Sequence, residues 1–202
     1  MKHFSMIRSF QLADFFTLAN AACGALMVFL AAAYIGTQSL DTFLLAALMA
    51  PAALVFDVLD GRIARWRHQA SALGRELDSL ADVISFGVGP ATLAYAGGMR
   101  GGWDIAILIF FVCCGVSRLA RYNVTAETIS AGASKVPYFE GTPIPTSVFL
   151  VLMLSVAAWQ GRLGEQLWFG ATALGPWTLH PLSLAFLASG SLMISTIRIP
   201  KL

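Results

Sequence analysis

Asp57, Asp60, Asp78 and Asp82 are the residues of this chain best suited to chemistry. They lie in one stretch, DVLDGRIARWRHQASALGRELDSLAD, of a chain that is 57% hydrophobic and only 12% charged. A carboxylate at membrane depth costs about 2.5–3.5 kcal/mol on insertion scales, and neighbouring carboxylates also repel. Such a group is tolerable where a cation sits among its members. Asp57 and Asp60 share a helix face at i,i+3, and Asp78 and Asp82 share one at i,i+4. A short connection makes the two helices antiparallel neighbours, so the four side chains can converge on one cleft. Oxygen-only ligands suit hard cations such as Mg²⁺, Mn²⁺ or Ca²⁺. Magnesium favours a few carboxylates together with phosphate oxygens, which points to a phosphorylated substrate and to one or two ions.

The residues between the acids fit that chemistry. Gly61 follows Asp60 inside a helix, at a cost of up to about 1 kcal/mol relative to alanine, and would let a ligand approach bare backbone. Ala64, one turn on, keeps the surface shallow, and Arg65 offers a fork for phosphate oxygens. Arg62, Arg67 and Arg75 are equally accounted for as ordinary cytoplasmic charges flanking a membrane helix. Thr17 and Asn20, near the inner end of the first helix, would either touch a nucleotide or make helix–helix hydrogen bonds.

The elements that position these groups follow from hydropathy. Mean hydropathy is +0.73, and charged residues fall well below the ~25% of a soluble domain. Six apolar segments stand near 13–36, 40–60, 77–97, 103–121, 143–160 and 178–197, each close to the ~20 residues needed to span a bilayer. The expected fold is all-α and integral to the membrane: a single domain over residues 1–202 with six transmembrane helices and a polar cleft facing the cytoplasm. Of 13 Lys and Arg residues, only Arg100 and Arg162 fall in the alternate loops. Both termini and the Asp-rich connection are therefore expected on the cytoplasmic side.

The run from Phe15 to Ile35 is too long for a signal-peptide core and is read as the first transmembrane helix. Residues 1–11 read as a short lead-in, either lying in the interface or simply a frayed terminus. The second helix is expected from a cap near Ser39 to about Trp66, with Gly74 closing the connection to the third. Residues 122–142 are expected to form a long loop over the site, Thr142-Pro143 to open the fifth helix, and Trp168 and Trp177 to mark an interfacial belt. Cys23, Cys113 and Cys114 read as buried apolar residues, and the scattered His3, His68 and His180 do not suggest a zinc site. A net charge of +2 carries no nucleic-acid footprint, and nothing in the pattern calls for an organic cofactor.

The stretch 57–82 resembles the signature of the CDP-alcohol phosphatidyltransferase family, D-x2-D-G-x2-A-R-x8-G-x3-D-x3-D, at every fixed position and spacing. The resemblance implies six transmembrane helices, usually in a homodimer, and two divalent ions, Mg²⁺ or Mn²⁺. It implies that Asp57, Asp60 and Asp78 are metal ligands, and that Asp82 is the general base and also touches the second metal. Gly61, Ala64 and Arg65 would hold the cytidine diphosphate moiety, with Gly74 near the nucleotide.

DSLADVISFGVGPA, SRLARYNV, YFEGTPIPTS and TLANAACG are similar to the branch of the family that uses serine as acceptor. The implied reaction takes CDP-diacylglycerol and L-serine to phosphatidylserine and CMP at the inner membrane of the cell. Arg118 and Arg121 are then candidates for the serine carboxylate, or else topological anchors, and Asn123, Ser85 and Lys135 are further acceptor candidates. Glycerol 3-phosphate or inositol phosphate remains open as the acceptor. From another class, a small ion transporter would also place acids in a membrane.

Overall fold

In the computed structural model the described residues are 10–66, 72–130 and 138–200. Helix α1 (Leu12–Thr37) begins at a reciprocal cap in which the Gln11 N–H donates to Asp14 Oδ2 at 2.7 Å. It ends at Gln38, whose left-handed backbone (φ 51°) reverses the chain. Helix α2 (Leu40–Trp66) runs back antiparallel and, at ~1.5 Å per residue, reaches ~40 Å. It stays helical through Pro51. Ala46, Ala47, Ala50 and Ala53 are buried on α2, and Gly24 and Ala31 on α1. These small residues let the two backbones approach closely, and this is the most extensively packed helix pair. Tyr34 and Phe43 close its far end edge to face, 4.9 Å apart.

The third apolar segment is one rod in three parts. Helix α3 (Ala72–Asp82) passes into a π-helical turn (Val83–Val88) and then α4 (Gly89–Ala96). Helix α5 (Gly102–Ser130) follows. A short strand β1 (Tyr138–Glu140) leads through a 3₁₀ turn (Ile144–Ser147) into α6 (Val148–Trp159). The hairpin β2–β3 (Thr172–Leu174, Trp177–Leu179) and a 3₁₀ turn (Pro181–Ser183) precede α7 (Leu184–Met193). Strand β4 (Arg198–Pro200) pairs antiparallel with β1, which brings the chain's last described residues to the head of the fifth segment.

The protein is therefore mostly helical, with helix on each of the six apolar segments. Among the described residues, three helices are long and apolar enough to cross a membrane: α1, α2 and Gly102–Val124 of α5. Ile144–Trp159 and Pro181–Met193 are shorter apolar helices. Phe43, Phe86, Phe111, Phe186, Met27 and Leu154 form the fully buried centre. Phe29, Leu48, Ile109 and Phe149 are exposed. Large apolar side chains on the outside, with buried polar groups within, are the pattern expected of a lipid-facing surface.

Several local expectations are corrected. Gly74 lies in the first turn of α3, not in the connection, because the helix starts at Ala72. Residues 122–130 are helix rather than loop. Asn123 ties this extension to α3, donating to Ser79 Oγ at 3.0 Å and Glu76 Oε1 at 3.3 Å. Thr142 does not cap the fifth helix. Pro143 is the N-cap of the 3₁₀ turn and Ser147 that of α6, and the buried Thr142 hydroxyl has no partner among the described residues. Cys113 is exposed on α5, while Cys114 is buried. His180 is held at the other end of the bundle by the buried Asp104. The expectations for Lys2, His3, Arg8, Arg67, His68 and Lys135, and most of the 1–11 lead-in, fall outside the described residues.

Candidate metal centre

Asp57 and Asp60 sit in the last third of α2, and Asp78 faces them from α3. One oxygen from each lies within 4.8 Å of the others. Oxygens on one ion are separated by at most twice the metal–oxygen distance, about 4.2 Å for magnesium and about 5 Å for calcium. The triad is thus close to single-ion size, and its oxygens would draw closer together around the smaller ion. Asp78 Oδ1 is buried and has no hydrogen-bond partner among the described residues. An unpaired buried carboxylate oxygen is costly, and two further carboxylates beside it offer no relief. A hard cation supplies the missing charge, so the donor set fits one.

Asp82, one turn beyond Asp78, is not one of this closest group of three but lies within electrostatic reach of all of them. It is buried, and its Oδ1 accepts a 3.2 Å hydrogen bond from Asn20 Nδ2. Thr17 donates its hydroxyl to Asp60 Oδ2 at 2.7 Å. Of the two roles open to Thr17 and Asn20, the structure displays the helix–helix bonds, and both run to the acidic group. Asp14, absent from the sequence-based set, is also buried on this face of α1, near Asp60. The spacing Asp14, Thr17, Asn20, Gly24 was the available signal: polar or small residues recurring at helical period in an apolar segment.

Gly61 faces open space, since a Cβ there would meet nothing within 4 Å. The bare backbone beside Asp60 is therefore accessible to a ligand, with Ala64 half-buried and Arg65 exposed on the following turn. Gly74 is half-buried on α3. Arg118 on α5 is half-buried, within electrostatic reach of Asp82, and its buried Nε has no hydrogen-bond partner among the described residues. Arg121 is exposed. Two acceptor candidates prove to be engaged within the bundle. Ser85 is wholly buried and donates to the Asn20 carbonyl at 2.8 Å. Asn123 is committed to α3. Lys135 lies outside the described residues.

These features define a helical membrane protein with an oxygen-donor site for a hard cation beside an open strip of backbone. The chain belongs to the CDP-alcohol phosphatidyltransferase family, whose model matches residues 10–187. It is 40% identical, over 98% of its length, to the CDP-diacylglycerol–serine O-phosphatidyltransferase of Saccharomyces cerevisiae, covering 74% of that protein. Proteins of the same name from Helicobacter pylori and Methanocaldococcus jannaschii are 38% and 34% identical over 69% and 74% of this chain. The chain spans 55% and 62% of their lengths.

Proposed function

We propose that this protein transfers the phosphatidyl group of CDP-diacylglycerol to the hydroxyl of L-serine, giving phosphatidylserine and CMP. The observation that carries the reading is the Asp57–Asp60–Asp78 triad, with its orphaned Asp78 oxygen, next to the uncovered backbone of Gly61. A bound divalent ion, Mg²⁺ or Mn²⁺ and in this family's manner one of a pair, supplies neutralisation of the diphosphate and of charge on the departing CMP. Asp57, Asp60 and Asp78 would hold it, and Asp82 would also serve the second ion.

The remaining steps belong to the chain. Arg65 meets phosphate oxygens as CDP lies along Gly61, Ala64 and Gly74. Arg118, with Arg121 beyond it, binds the serine carboxylate. Asp82 accepts the serine hydroxyl proton while the serine oxygen bonds to the phosphatidyl phosphorus. The bond from that phosphorus to the CMP oxygen breaks in the same displacement. A positioned carboxylate base is worth about 10²–10⁴-fold.

The full architecture in this reading is one domain of six membrane crossings, paired as a homodimer in the cell's inner membrane. The termini and the cleft face the cytoplasm, as the distribution of Lys and Arg favours. Acids gathered near the end of α2 suit a head-group reaction at a membrane surface. An ion transporter more often places its site at the midplane between broken helices. The test is mass-spectrometric identification of the product when CDP-diacylglycerol is offered with serine, glycerol 3-phosphate and inositol phosphate in competition. Phosphatidylserine is the expected lipid, and either of the others as main product would reassign the acceptor.

A further inference from the structure

We propose that Asn20 is a positioning residue for Asp82, acting from α1 to aim the base at the acceptor hydroxyl, an inference that rests on the reading of Asp82 as base. Asn20 is wholly buried, and its amide Nδ2 donates to Asp82 Oδ1. Its own Oδ1 has no partner, so Asp82 is the one group its side chain serves among the described residues. The reverse amide orientation would set two oxygens against each other, which fixes the donor towards the carboxylate.

The same turn of α1 grips the other end of the segment that carries Asp82. Ser85 donates to the Asn20 carbonyl, three residues beyond Asp82. Gly24, one turn along α1, lies so close that a Cβ there would fall 2.5 Å from Ser85 Oγ and 2.7 Å from Ser85 Cα. Asp82 is also the last residue before the π-helical turn Val83–Val88. Such turns interrupt the regular helical register and concentrate at functional sites. Asp82 is thereby steadied by an amide from α1 at the boundary between regular and π-helical backbone. Asn20 holds Asp82 by Oδ1, which leaves Oδ2 for the proton of the serine hydroxyl.

Steady-state kinetics of the full chain in detergent, with CDP-diacylglycerol, serine and saturating Mg²⁺, decide the matter. Asn20→Leu, near-isosteric but without the donor, is expected to lower kcat about 10–100-fold, the usual cost of removing a supporting contact. The KM values for both substrates should stay within about twofold, since the contact lies behind the base. In an Asp82→Asn background the same change should cost nothing further, because its effect passes through Asp82. Should Asn20→Leu purify poorly, Asn20→Ser carries the same expectation.

An increased KM for CDP-diacylglycerol with unchanged kcat would overturn the proposal and make Asn20 a nucleotide contact. Full additivity with Asp82→Asn would overturn it as well. Near-normal turnover by Asp82→Asn alone would defeat the base reading itself. An inactive Asp82→Asn beside a fully active Asn20→Leu would defeat only the positioning role.

Discussion

Thr17→Val probes the coupling between α1 and the metal centre with little change in shape. The valine fills the same space but lacks the hydroxyl that donates to Asp60 Oδ2 at 2.7 Å. Thr17 and Asp60 are 3% and 6% exposed, so water does not readily replace the lost donor. A hydrogen bond to a charged group contributes about 1.5–3 kcal/mol, and each 1.4 kcal/mol is about tenfold in a binding constant. The concentration of Mg²⁺ giving half-maximal activity should therefore rise about tenfold to about a hundredfold. Activity should return towards the parent level at saturating metal, because the reacting groups are untouched. Thr17→Ser keeps the donor and should behave like the parent. The assay is CMP release in detergent across a Mg²⁺ titration. An unchanged half-saturation for Thr17→Val would show that Asp60 does not depend on α1, and would refute the reasoning.

Further outcomes follow from the same geometry. Asp82→Asn should lower kcat by about 10²–10⁴-fold while Mn²⁺ binding, followed by electron paramagnetic resonance, persists; near-normal CMP release would remove it as base. Gly24→Ala would drive a methyl group into the Ser85 backbone and should cost about 1–3 kcal/mol, read as a lower Tm in detergent. Asp104, fully buried, accepts from the Gly101 and His180 N–H groups and from His180 Nδ1. Asp104→Ala strands these donors at about 1–3 kcal/mol each and should lower Tm sharply, although it lies at the other end of the bundle from the triad. Arg118→Ala should raise the KM for serine more than it lowers kcat; an unchanged KM would make it an anchor.

The spacing of the acids carried much of the site, because side chains at i,i+3 and i,i+4 on two adjacent helices have few other ways to meet. Asp57, Asp60 and Asp78 converge accordingly. Asp82 lies within electrostatic reach of all three. No local pattern foretold the amide from α1 that steadies it, because that contact is set by tertiary packing. Thr17 and Asn20 were visible as polar residues in an apolar helix, but their partners lie 43 and 62 residues away in sequence. Ser85 read as an acceptor contact because burial is not legible in a single serine. Hydropathy located the apolar helices, three of which are long enough to cross a membrane among the described residues, but missed the extension of α5, where residues 122–130 remain helical with Asn123 anchored to α3.

The most direct test is the metal dependence of phosphatidylserine formation by the purified chain, paired with Mn²⁺ binding to the parent protein and to Asp78→Asn. Ion binding by the parent, its loss in the variant, and synthesis abolished by EDTA and restored by Mg²⁺ are the predicted results. Undiminished phosphatidylserine synthesis in excess EDTA, or unaltered Mn²⁺ binding by Asp78→Asn, would contradict a cation held by Asp57, Asp60 and Asp78.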